Sequence, residues 1–273
     1  MVNSACARQP VGRFVAIQAL IWMLAAPLLG MVVARIAVWA QTFRAPLLVF
    51  PLLVGCGLGL ALAALMRFGH VGHRGTIWSG TVLAVAVAVA GQHYFSFLDF
   101  KAALTAKKPQ GLSLEAFQAF QERIPAAPTD FARFMAEGRA VTADYSLHGA
   151  AAWASWILDG LLVLVATSTI IYLACRVPYC SVCRSWYRTT RAGPVAADRA
   201  RRMAEVGLLP IEEPFDTAQY RLSHCIGGCG PSRLQLACRG RAKSTAVEAW
   251  LSVAEREQIV RVLDGESCLD GMN

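Results

Sequence analysis

Charge is what this chain has least of: Asp, Glu, Lys and Arg make up 16% of its 273 residues, while 56% are hydrophobic. Soluble domains carry about 25% charged residues, so an ordinary soluble enzyme or binding module is a poor description. The composition reads as a membrane protein. Acid is absent from residues 1–74, which hold six arginines. Lysine supplies only four of the 26 basic residues (Lys101, Lys107, Lys108, Lys243). With abundant alanine, this usage hints at a GC-rich bacterial genome and hence a bacterial inner membrane. Cysteine is missing from 57 to 174, although the chain has nine. A Gly-rich phosphate loop, a Ser-His-Asp set and an H-E-x-x-H motif are also lacking, so no catalytic motif supports an enzyme.

The net charge of +8 does not indicate nucleic acid. Residues 96–149 balance six basic against six acidic groups, and 175–273 set fourteen against eleven, so no region is basic enough to demand a polyanion. Basic residues beside apolar runs orient a membrane protein instead.

Four such runs are long enough to cross a hydrocarbon core of about 30 Å. Residues 1–97 supply three of them, at about 14–34, 47–66 and 77–97; residues 150–175 supply the fourth. The first competes with a secretory signal peptide, since AVWA at 37–40 resembles a cleavage site, but it is longer than the usual signal core. Four spans place both termini on one side. With that side cytoplasmic, Arg8, Arg13, Arg67, Arg74, Arg176, Arg184, Arg188 and Arg191 lie inside, against Arg35 and Arg44 in the short outer loop. Cysteine usage agrees, because seven of the nine thiols crowd into 175–273, which this topology puts in the reducing compartment.

The segment 98–149 is then an extracytoplasmic loop. GLSLEAFQAFQERI aligns Leu114, Phe117, Phe120 and Ile124 behind an N-cap at Ser113, and TDFARFMAEG predicts a second helix from Thr129 or Asp130 to Gly138. These amphipathic helices either cover the ends of the bundle or form a lid or partner-binding element.

Within the spans, Asp159 is the residue most costly to bury, and His93 in GQHYF lies near the same outer side. A transporter or channel subunit built on this pair is one functional alternative; hydration or a helix–helix hydrogen bond is the structural one. Within the Gly55, Gly57, Gly59 run, the Gly55-x-x-x-Gly59 pair permits close helix approach.

Residues 176–273 form a cytoplasmic cysteine-containing domain with mixed α+β character. PYCSVCRSWY places Cys180 and Cys183 just beyond the last span, followed by a basic turn at RTTRAGPV. DRARRMAEVG predicts a short helix capped by Asp198 and stopped at Gly207. Tyr220, Leu222 and His224, then Leu234, Leu236 and Cys238, alternate with polar residues on either side of CIGGCGP, which predicts a β-hairpin whose connection holds Cys225 and Cys229. AVEAWLS predicts a third strand. Ser252 and Glu255 form a capping box for a helix burying Val253, Ile259, Val260 and Leu263.

A C-x-x-C and a C-x-x-x-C on separate turns deliver four soft ligands, which is what a structural zinc ion requires. Over 178–240 the arrangement resembles zinc-ribbon domains. It departs from them in the three residues between Cys225 and Cys229, so His224 or Cys238 stands as a substitute ligand. The alternatives are a thiol-redox pair at Cys180 and Cys183, or reduced cysteines serving as small hydrophobes. The expected protein is a membrane-anchored interaction or regulatory protein with a structural zinc module, whose partners are the lipid bilayer and a cytosolic protein.

Overall fold

In the computed structural model the described residues are 14–41, 49–105, 130–137, 139–140, 146–210, 215, 217–239 and 244–265. They fall into two compact units, Val15–Cys175 and a second that contains Arg176 onward. The predicted helix over 112–124 lies outside the described residues.

The first unit holds four helices long and apolar enough to cross a membrane. They are α1 (Ala16–Gln41), α2 (Val49–Phe68), α3 (Arg74–Thr105) and, after the short α4 (Phe131–Glu137), α5 (Ala150–Cys175). The first three run past the apolar limits read from the sequence, because backbone hydrogen bonding continues after hydropathy falls. α1 packs chiefly on α3, and α2 on α5. In the extended end of α1, Arg35 forms an ion pair with Asp99 of α3 at 2.8 Å.

Small residues set the α2–α5 spacing. A Cβ on Gly55 would stand 2.7 Å from the Val163 carbonyl oxygen, and one on Gly59 would stand 3.0 Å from Ile170 Cβ. The close approach lets Thr167 Oγ1 donate to the Gly55 carbonyl at 2.9 Å. In α4, the Arg133 amide donates to Asp130 Oδ1 at 2.8 Å. Phe131 and Phe134 stack on Phe97 at 5.8 and 5.4 Å, and Trp156 Nε1 donates to the Met135 carbonyl. The apolar side of this helix is therefore spent on packing against α3 and α5. A two-stranded ribbon, β1 (Arg139–Ala140) with β2 (Ser146–Leu147), lies between α4 and α5.

The second unit begins with a small hairpin, β3 (Tyr179–Cys180) and β4 (Ser185–Trp186). A four-stranded antiparallel sheet follows in the order β5 (Arg188–Val195), β6 (Thr217–His224), β7 (Ser232–Arg239), β8 (Ser244–Leu251). Helices α6 (Ala197–Val206) and α7 (Val253–Asp264) supply the other half of its core. Leu222, Leu234, Leu236 and Leu251 of the sheet meet Met203 and Ala204 of α6 and Ile259 and Val262 of α7. Each buried leucine contributes about 1.5–3 kcal/mol relative to an exposed one.

Three local expectations are corrected. RTTRAGPV is an eight-residue strand rather than a turn. It shows no apolar alternation because it lies at the sheet edge and is largely exposed, and the edge also tolerates the missing N–H of Pro194. Asp198 does not cap α6; Ala196 occupies the N-cap without a side-chain bond, and Asp198 sits in the first turn, where its charge suits the helix dipole. In α7, Val253 is 48% exposed, and Val262 takes its place in the core beside Ile259.

The capping box of α7 forms. Ser252 Oγ accepts from the Glu255 amide at 3.3 Å, while the Ser252 amide donates to Glu255 Oε2 at 2.6 Å. Replacing Ser252 with Ala is expected to cost about 1 kcal/mol, read as a lower urea midpoint for the sheet unit with an unchanged slope.

Candidate metal centre

Two turns bring the chemistry together. The β3–β4 hairpin carries Cys180 and Cys183, and the β6–β7 connection carries Cys225 and Cys229, with the Gly228 amide bonded back to the Cys225 carbonyl at 3.0 Å. Gly228 holds a φ of +61°, which closes the second turn without Cβ strain. In the first turn the left-handed residue is Arg184, directly after Cys183, at a φ of +51°. Beside the second turn, Gly230 lets the backbone come close: a Cβ there would lie 2.9 Å from the Tyr187 hydroxyl and 3.6 Å from Cys180 Sγ.

The four sulfurs lie within 4.8 Å of one another. Cys180 Sγ is 3.6 Å from Cys229 Sγ, which is 3.7 Å from Cys225 Sγ. Disulfide bonding would bring a pair to about 2.05 Å; the seven cysteines among the described residues are all free. A tetrahedron of thiolates around one ion with metal–sulfur bonds of about 2.3 Å has edges of about 3.8 Å. The observed separations are close to that edge, so the residues fit a single tetrahedral ion. Four-sulfur tetrahedra suit zinc or iron.

Electrostatics lead to the same requirement. Burial pushes Cys183 up, but hydrogen bonds from Ser185, Cys180 and the Gly227 amide outweigh it and bring the thiol down to about 6. Burial raises Cys180. Hydrogen bonding with the Cys180 sulfur, reinforced by burial, pushes Cys229 up to about 12. The group accommodates a thiolate at Cys183 and resists ionising Cys180 and Cys229, as expected where burial and neighbouring sulfurs disfavour further negative charge. A divalent cation reverses that balance by supplying the missing positive charge.

Neither substitute ligand belongs to the group. His224 uses Nδ1 on the Cys225 carbonyl at 2.8 Å, and Cys238 is buried with Ala200, Phe215 and Ala218. Strand register explains the latter: Cys238 pairs with Ala218, at the end of the hairpin remote from the turn.

Two further residues support the group. Tyr187, whose aromatic ring stands beside the C-x-x-C, reads in sequence as packing around the knuckle or an anchor at the inner interface, whereas Ser185 carried little sequence signal. Ser185 Oγ lies 3.0 Å from Cys183 Sγ. Tyr187, buried beside Cys180 and Cys225, donates its hydroxyl to the Pro231 carbonyl at 2.7 Å and so ties the first cysteine arm to the end of the second. Trp250 covers it edge-on at 5.8 Å. Tyr187→Phe is expected to lower the stability of this unit by about 0.5–1.5 kcal/mol, measured by urea unfolding.

In the helical unit, His93 packs edge-on against Trp156 with ring centroids 4.6 Å apart. Trp156 precedes Asp159 by one turn on the same face of α5. The two polar residues singled out in the spans therefore occupy one neighbourhood. No protein-family model, no curated protein and no solved structure matches this chain.

Proposed function

We propose that this chain is a membrane-anchored interaction protein whose sheet unit faces the cytoplasm and is clamped by one structural zinc ion. The observation that carries this reading is the convergence of four thiols from two turns at separations that suit a tetrahedral ion. Cys180, Cys183, Cys225 and Cys229 would hold the metal in the manner of a zinc ribbon. A full set of thiolates leaves no open coordination position for water, which favours a structural over a catalytic role. The absence of cysteine from 57 to 174 suits an outer loop in an oxidising compartment, with the cluster on the reducing side. A cytosolic protein is the expected partner of the sheet unit.

The test is metal analysis of the full chain purified from membranes, coupled to thiol alkylation. Close to one zinc per chain, with four thiols shielded until a chelator is added, supports the clamp. Metal-free protein in which Cys180 and Cys183 cycle between dithiol and disulfide would replace it with a redox role. Iron in place of zinc would keep the clamp and change its ion.

A further inference from the structure

The two cysteine turns end in aliphatic side chains that stay exposed among the described residues. Val182, between Cys180 and Cys183, is 75% exposed, and Ile226, between Cys225 and Cys229, is 61% exposed. Single exposed aliphatics need no explanation, but these two sit on turns that touch: a Cβ on Gly227 would lie 3.4 Å from Cys183 Cβ. Both tips are braced by the cysteine group, so little freedom is lost when they are buried against a surface.

Basic groups accompany them. Arg184 is exposed next to the first turn. Arg256 reaches the second, its Nη1 3.6 Å from where a Gly228 Cβ would be. The turns themselves contain no acid: residues 178–187 and 222–233 hold Arg184 and Arg233, the latter ion-paired with Glu248. Arg184 also keeps its left-handed φ of +51° at a position glycine would occupy with less strain. Such strain at a non-glycine residue points to a use for the side chain.

Chain connectivity limits what this surface can meet. The 26 residues of α5 extend about 39 Å, beyond a hydrocarbon core of about 30 Å. Cys180 follows the end of that helix by five residues, a reach of at most about 18 Å.

We propose that the paired turn tips are a lipid-docking surface, in which Val182 and Ile226 enter the headgroup layer of an anionic leaflet and Arg184 and Arg256 meet its phosphates. This rests on the reading that the four helices lie in a bilayer with the sheet unit on its cytoplasmic side. Each basic residue near such a surface strengthens attachment about five-fold.

The full chain is tested with a photoreactive benzoylphenylalanine replacing Val182 or Ile226, in native membranes and in phosphatidylcholine vesicles with and without phosphatidylglycerol. Replacement of Leu53, an exposed apolar position of α2, serves as the bilayer control. Phospholipid adducts are expected from both tips, with yields falling about five-fold in Arg184→Gly and falling again when phosphatidylglycerol is omitted. Arg184→Gly relieves the backbone, so a lower yield with normal zinc content reads the guanidinium and not the fold. Protein adducts from the tips in native membranes, or no adducts from them while Leu53 labels lipid, overturn the proposal in favour of a protein partner or open solvent. Failure at Leu53 removes the bilayer reading and the proposal together. Zinc content of the same samples reports on the clamp separately.

Discussion

Stripping the proposed metal, or replacing Cys180 with Ser, is expected to unfold the cysteine arm and leave the sheet unit without most of its stability. Metal binding to a four-thiolate site is worth about 10–16 kcal/mol near neutral pH, against about 5–15 kcal/mol for the whole stability of a domain. The losses should be uneven. The cysteine group packs with Tyr187, Val177 and Trp250 in one cluster, while the leucine core beneath α6 and α7 is another. Hydrogen exchange of the full chain should therefore show residues 179–187 and 225–231 losing protection by orders of magnitude, with β6 and β7 following to a smaller degree. Unchanged protection in both segments after chelation would show that packing alone holds the turns.

The same site predicts its own pH dependence. Metal binds thiolates, and burial and hydrogen bonding hold Cys180 and Cys229 above the ordinary thiol range. Binding must therefore expel at least their two protons, and acid competes with the metal. Each unit fall in pH through the neutral range should weaken zinc affinity at least about a hundredfold, measured by competition with a chromophoric chelator. Cys183, brought down to about 6, contributes only as the pH falls through that value. An affinity flat from pH 8 to 6, a window fixed by these shifts, would rule out thiolate ligation by the raised pair.

Gly55→Val is the second large effect, and it acts in the helical unit. A Cβ at this position would stand 2.7 Å from the Val163 carbonyl oxygen and 2.8 Å from Ala166 Cβ, both on α5. Neither can yield without moving the helix. Separation would also break the bond from Thr167 Oγ1 to the Gly55 carbonyl. Overpacking and the lost interhelical bond together should cost about 2–4 kcal/mol, read as easier unfolding of the full chain in detergent. Gly57→Val is the matched control. Nothing lies within 4 Å of a Cβ there, so its cost should stay below about 0.5 kcal/mol.

These two results separate what was legible in the residues from what was not. The four long apolar helices followed from hydropathy and length, because a hydrocarbon core about 30 Å thick sets the number of apolar residues a helix must contain. The β6–β7 hairpin and the α7 capping box were also readable, since each rests on a local pattern: period-two alternation in one case and a Ser-x-x-Glu spacing in the other. The four cysteines could be named from their spacing. Strand β5 could not be read, because an exposed edge strand with no apolar alternation looks like a turn until β6 pairs with it.

Choices among equivalent residues belonged to the tertiary structure. The Gly55-x-x-x-Gly59 spacing marked that pair for close helix approach, but only the tertiary structure supplies α5 as the helix that meets both and leaves Gly57 free. Cys238 and His224 stood by spacing as substitutes for one of the four ligands. The hairpin register sends Cys238 to the core, and His224 bonds to backbone, leaving Cys180, Cys183, Cys225 and Cys229 as the converging set. The physical reason is the range of the forces involved. Burial in lipid and backbone hydrogen bonding are decided residue by residue along the chain, whereas a four-sulfur group 3.6–3.7 Å on its measured edges exists only once segments 49 residues apart have been folded together.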